Sequence, residues 1–192
     1  SAGYDLTRLL VGAEGTLGVI TELTLRLHGI PEAISGAVCT FKDVQSACQA
    51  VITTIQMGIP VARIELLDPQ SVEAANAYSK LSLPVSPLLL LEFHGSNASV
   101  AEQAATFGDI AEEFGGTGFE WTADAEARNR LWRARHDIYW SIVALRPGAR
   151  IINTDICVPI SRLAECVTQT RARTDQLGFP ASILGHVGDG NF

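Results

Sequence analysis

From Val19 to Leu27 the chain alternates in the way a half-buried strand does: Val19, Thr21, Leu23, Leu25 and Leu27 fall on one side, Ile20, Glu22, Thr24 and Arg26 on the other. A turn-like break, His28-Gly29-Ile30-Pro31, comes next. Beyond it the patterning predicts strands at Ala33–Phe41, Val61–Leu67, Leu88–His94, Gly118–Thr122, Arg150–Val158 and Ala181–Gly185. Helices are predicted between them at Lys42–Met57, Pro69–Ala77, Ser99–Phe114, Asp124–Leu145 and Ser161–Leu177. Helix starts are read at Asn97 and Ser99, at Asp124 with Glu126, and at Ser161 with Glu165; Gly58, Gly115 and Gly178 read as stops.

This order of elements predicts an α+β sandwich and suits two ferredoxin-like halves side by side, although no internal repeat marks a duplication. An apolar fraction of 47% with 18% charged residues in 192 residues is that of a compact globular chain. The net charge of −7 comes without a basic run, and 12 of the 14 basic residues are scattered arginines, so nucleic acid is not an expected partner. The longest apolar stretch, Leu88 to Leu91, is too short to span a bilayer, and the expected location is cytoplasmic. Cys39, Cys48, Cys157 and Cys166 form no C-x-x-C pair and are expected to be reduced core thiols. A chain opening on Ser1 and stopping at Phe192 inside a glycine-rich run is read as cut at both ends.

Gly12, Gly15 and Gly18 are spaced three apart, so a tight loop there lets backbone approach a flat or phosphorylated ligand. The residues after Gly18 are strand-like, and no helix N-terminus is in place to receive a pyrophosphate as in a nicotinamide-binding unit. On spacing alone an ordinary glycine-rich turn is the better account. The longer string Gly3-Tyr4-Asp5-Leu6-Thr7-Arg8-Leu9-Leu10-Val11-Gly12-Ala13-Glu14-Gly15-Thr16-Leu17-Gly18-Val19-Ile20-Thr21-Glu22 resembles the last stretch of the flavin-binding domain in the D-lactate dehydrogenase and glycolate oxidase group of FAD-linked oxidases, within the vanillyl-alcohol-oxidase-like superfamily. The resemblance implies that residues 1–29 are the tail of an FAD-binding domain, with Gly12, Glu14, Gly15, Thr16, Gly18 and Ile20 along the cofactor, and that residues 30–192 are a substrate-binding domain.

In Asp124–Leu145 the residues Leu131, Arg135, Ile138, Ile142 and Leu145 share one helical stripe, which puts a guanidinium on an apolar face. Such a group needs a carboxylate partner from protein or ligand. In Arg150–Pro159, Asn153 and Asp155 share a face that reads as solvent-facing. The runs Leu131-Trp132-Arg133-Ala134-Arg135-His136-Asp137 and Asn153-Thr154-Asp155-Ile156-Cys157-Val158-Pro159-Ile160-Ser161-Arg162-Leu163 resemble the substrate domain of the same family. The resemblance implies that Arg135 grips a substrate carboxylate, with Tyr139 and Asn153 nearby. Related D-2-hydroxyglutarate enzymes carry threonine and lysine at those last two positions, so a shorter substrate with one carboxylate is favoured.

His186-Val187-Gly188-Asp189-Gly190-Asn191-Phe192 follows the apolar strand Ser182-Ile183-Leu184. Alone, one histidine before a glycine loop is more often structural, and Asp189-Gly190 serves as a turn. The run resembles the family element H-x-G-D-G-N-x-H, whose two histidines help to hold a divalent metal, zinc or manganese, and His186 matches the first. One imidazole makes no stable site, and these residues alone are expected to hold no metal tightly, to bind little FAD and to be inactive. For a whole enzyme the resemblance implies oxidation of D-lactate or a related small D-2-hydroxy acid to the 2-oxo acid, with hydride passing to flavin. It also implies a cytochrome, quinone or flavoprotein acceptor, a membrane-peripheral location as an alternative, and a homodimer as a candidate assembly. The alternatives are a D-2-hydroxyglutarate or glycolate dehydrogenase, or a non-enzymatic α+β module in which Arg135 and His186 are structural.

Overall fold

A computed structural model describes residues 3–178 and 180–192, in two compact units that divide after Ile30. In the first unit Asp5 caps a single helical turn, α1 (Leu6–Leu9), by accepting hydrogen bonds from the Thr7 and Arg8 amides. The strand expected at Val19–Leu27 is not formed. No described segment offers it a ladder, so its alternation has no sheet to express, and Val19, Leu23, Leu25 and Leu27 stay exposed.

The second unit is built on β1 (Ala33–Thr40), α2 (Val44–Gln56), β2 (Val61–Leu67), α3 (Pro69–Ser79), β3 (Leu88–Gly95), α4 (Asn97–Glu113) and β4 (Thr117–Thr122). After these come α5 (Ala125–His136), α6 (Ile138–Leu145), α7 (Leu163–Leu177) and β5 (Leu184–Gly185). The sheet order is β4-β1-β3-β2-β5 with every neighbouring pair antiparallel. The first four strands make the ferredoxin-like arrangement that the order of elements predicts. A second half does not form beside it, because among the described residues the later part contributes only the two-residue edge strand β5 to the same sheet.

The apolar run of β3 is buried on both faces. Leu89, Leu91 and Phe93 join Cys39, Leu66, Val51, Phe107 and Val167 in a core beneath α2, α4 and α7. On the other face Leu88 and Leu90 join Leu67, Val72, Trp132 and Ile138 beneath α3, α5 and α6. Each fully buried Leu or Phe contributes about 1.5–3 kcal/mol. By the alternation of side chains along a strand, Glu65 and Glu92 lie on this second face, among residues that are otherwise apolar.

Several local expectations are corrected. The helix Asp124–Leu145 breaks at Asp137, which ends α5 and precedes α6; aspartate competes for backbone hydrogen bonds and favours helix ends over interiors. The stripe is therefore not continuous, and Leu145 is exposed. Asp124 does cap α5, accepting from the Ala127 amide, but α4 is capped by Ser96 instead of Asn97 or Ser99. The last long helix opens through a single 3-10 turn at Ile160–Arg162 without a side-chain cap, and Glu165 pairs with Arg162. Among the described residues Arg150–Val158 forms no strand; it makes one isolated antiparallel bridge, Cys157 to Asn191. Cys157 is consequently exposed and Cys166 half-buried, whereas Cys39 and Cys48 are core thiols whose pKa burial pushes up to about 11 and about 12. No described helix is long and apolar enough to cross a membrane.

Candidate functional site

The register of the sheet edge places the first candidate side chain, His186. Leu66 pairs with Gly185 and Leu67 with Leu184, so the antiparallel progression carries His186 alongside Glu65. His186 Nδ1 lies 2.5 Å from Glu65 Oε1. From α5, packed on the same face of the sheet, Arg135 donates through Nε and Nη2 to Glu65 Oε2 at 3.1 and 2.9 Å. The two oxygens of one carboxylate thus hold two different partners. Glu65 and Arg135 are 5% and 13% exposed, so this is a largely desolvated ion pair, while the His186 ring is 63% exposed. The carboxylate partner that Arg135 requires is therefore supplied by the chain itself, through Nε and Nη2; Nη1 has no hydrogen-bond partner among the described residues.

Glu65, Arg135 and His186 line a cavity of about 250 Å³, with Arg63, Trp132, His136 and Asp189 also on its wall. A second cluster of the same composition lies one strand over. Buried Glu92 accepts from Arg63 Nη2 at 2.9 Å and sits 2.7 Å from His94 Nε2. The Arg63 guanidinium also stacks 4.4 Å over the Trp132 ring, so its charge is engaged twice.

The glycine run that ends the described chain is fixed by close backbone packing. Val158 and Ile156 donate their amides to Gly190 and Phe192, and Phe192 donates back to Ile156. Gly190 has φ +77, and a Cβ there would collide with the Val158 carbonyl oxygen. The Asn191 side chain donates to Asp155 Oδ1 at 2.7 Å. This packing holds the backbone that leads out of His186.

Sequence reasoning places Arg135 and His186 in one site, and the structure brings them together through Glu65, a residue that reasoning missed. The signal for it was present: an ionised side chain between Ile64 and Leu66 in a strand otherwise destined for the core, the same logic that singles out Arg135. Tyr139 and Asn153 are not brought to the cavity wall. Tyr139 is exposed on α6 and makes an edge contact with Trp140, and Asn153 is exposed in the segment that forms no strand.

In the first unit Gly12, Glu14, Gly15, Thr16, Gly18 and Ile20 form an exposed loop in which the Thr16 hydroxyl donates to the Ala13 carbonyl at 2.6 Å. Open space surrounds all three glycines, and Glu14 and Gly15 turn through positive φ. The result is a strip of accessible backbone without side-chain cover, which fits a loop lying along a flat cofactor. A divalent metal does not fit the described residues: no three His, Cys, Asp or Glu side chains converge, and His186 is a single imidazole held by a carboxylate.

The chain belongs to the family of FAD linked oxidases, C-terminal domain, whose model matches residues 30–192. It is 50% identical over all of its 192 residues to a probable mitochondrial D-lactate dehydrogenase of Danio rerio, covering 39% of that protein. It is 42% identical to the mitochondrial D-lactate dehydrogenase [cytochrome] of Arabidopsis thaliana, covering 34% of it. The glycolate oxidase subunit GlcD of Bacillus subtilis is 31% identical across 99% of the chain, which spans 40% of that subunit. Among solved structures, an alkyldihydroxyacetonephosphate synthase superposes on the whole chain and 41% of its own, with a TM-score of 0.69 at 19% identity, a likeness of fold alone.

Proposed function

We propose that this chain is the substrate-side part of an FAD-dependent dehydrogenase that oxidises D-lactate, or a similarly small D-2-hydroxy acid, to the 2-oxo acid, with residues 1–29 as the tail of its FAD-binding domain. The observation that carries the reading is the desolvated guanidinium of Arg135 on a cavity wall, with one terminal nitrogen free of partners among the described residues and His186 beside it. The remaining donor fork suits a substrate carboxylate. A ligand held there would be oriented by Arg135, with Trp132, Arg63 and the largely exposed ring of His186 also on the wall. Gly12, Glu14, Gly15, Thr16, Gly18 and Ile20 would lie along the FAD, which when bound accepts the hydride. No step is assigned to a metal.

The relatives named for a cytochrome support a cytochrome as electron acceptor. A homodimer and a cytoplasmic location stay as expectations, the latter set against relatives named as mitochondrial and decided by fractionation of the source cells.

A substrate with one carboxylate is favoured over D-2-hydroxyglutarate because the relatives at 50% and 42% identity are named as D-lactate dehydrogenases. Steady-state kinetics of the full-length protein are expected to give a kcat/KM for D-lactate at least roughly 100-fold above that for D-2-hydroxyglutarate, whose second carboxylate has to give up its hydration in the cavity. Equal rates with the dicarboxylate, or a preference for glycolate, would replace this substrate assignment.

A further inference from the structure

We infer that Glu65 is a positioning residue for the 2-hydroxy acid site, aligning Arg135 and His186 against a common ligand from a single buried carboxylate. The inference rests on the proposed reading of Arg135 and His186 and adds to it a residue, and a physical role, that the resemblance does not supply.

The geometry divides the work between the two oxygens. Oε2 takes Nε and Nη2 of Arg135, fixing the plane of the guanidinium and leaving Nη1 as the donor without a partner among the described residues. Oε1 takes His186 Nδ1. A carboxylate only accepts, so the hydrogen bond calls for the proton on His186 Nδ1 and leaves Nε2 as the other nitrogen of a largely exposed ring. Glu65 is itself rigid, because it stands in the middle of β2 with ladder partners on both sides, Leu90 in β3 and, one residue on, the Leu66–Gly185 pair. Glu65 is 5% exposed within a seven-residue strand, whereas Arg135 lies at the end of α5 and His186 follows a two-residue strand. The carboxylate therefore transmits the rigidity of the sheet to two groups that sit on element ends. Glu92 holds Arg63 and His94 in the same way one strand over, but of the two carboxylates Glu65 is the one on the cavity wall. Pairing with Arg135 alone already compensates its charge.

The test is a double-mutant cycle in the full-length FAD-loaded protein, with kcat and KM for D-lactate measured for Glu65→Gln, Arg135→Ala, His186→Ala and the two doubles that contain Glu65→Gln. Glu65→Gln is expected to raise KM roughly tenfold or more. Each double should be no worse than its poorer single by more than roughly threefold, since residues acting through one geometry are non-additive. Should Glu65→Gln fail to fold, Glu65→Asp keeps the charge and the strand position but is one methylene too short to span both partners; it too should raise KM, with flavin content and Tm near those of the parent. Fully multiplicative effects in both doubles, or wild-type KM in Glu65→Gln or Glu65→Asp, overturn the inference while leaving Arg135 in its role. Wild-type kinetics in both Arg135→Ala and His186→Ala overturn it together with the site reading beneath it.

Discussion

Arg135→Ala in the full-length protein is expected to lower kcat/KM for D-lactate by roughly 100-fold or more, since the change removes a charge-assisted contact to the carboxylate of the acid. It also strands Glu65 with its charge buried, and breaking such a pair costs about 3–5 kcal/mol, so the melting temperature should fall as well. The two effects separate in Arg135→Lys. Lysine returns a cation to Glu65 but offers no planar fork, so stability should recover more than KM does. Steady-state kinetics alongside flavin absorbance and thermal melting resolve these contributions. Wild-type KM in both variants would mean that the guanidinium serves Glu65 and nothing else.

Asp68→Ala should be the most damaging single change to the fold itself. Asp68 is fully buried where β2 meets α3, and it accepts from the amides of Ser71 and Ile183 and from Arg171 on α7. One carboxylate thus caps a helix, anchors the chain entering β5 and neutralises a largely buried arginine. Its loss leaves those donors unpaired and should cost about 3–5 kcal/mol, a drop in melting temperature on the order of 10 °C. Burial pushes the Asp68 carboxyl above its ordinary pKa, against the opposing pull of its hydrogen bonds and of Arg171. The folded state therefore binds the proton more tightly than the unfolded chain. This contribution is present below the ordinary carboxylate value and is lost as the pH rises through the raised one. Asp68→Asn, which keeps a capping oxygen, should lose less stability than Asp68→Ala and should lack that pH dependence. Thermal melts of the three proteins across the acidic range check both statements.

Particular elements show how much of the fold and the site was legible in the residues. The strands β1 to β3 and the helices α2 and α3 follow from local periodicity, because each is buried against neighbours that the same chain supplies. Val19–Leu27 and Arg150–Val158 have equally good strand patterns and form no strand, since a strand is a property of a pair and their periodicity says nothing about a partner. The break at Asp137 escaped a stripe argument that counted apolar positions and passed over a residue favouring helix ends. Arg135 and His186 were singled out as candidates because each lies within its own contiguous motif. Glu65 was not, because it lies 70 residues from one partner and 121 from the other, and only the sheet register joins them. Tyr139 and Asn153 are expected near Arg135 from the family resemblance, and the structure places both on exposed segments outside the cavity wall.

The guanidinium edge left open by Glu65 is expected to receive the carboxylate of a small 2-hydroxy acid, and a crystal structure of the full-length protein with D-lactate bound addresses this directly. A lactate carboxylate oxygen should lie about 2.7–2.9 Å from Arg135 Nη1, with Glu65 still holding Nε and Nη2. Lactate bound with its carboxylate on other donors, and Arg135 contacting Glu65 alone, would contradict it.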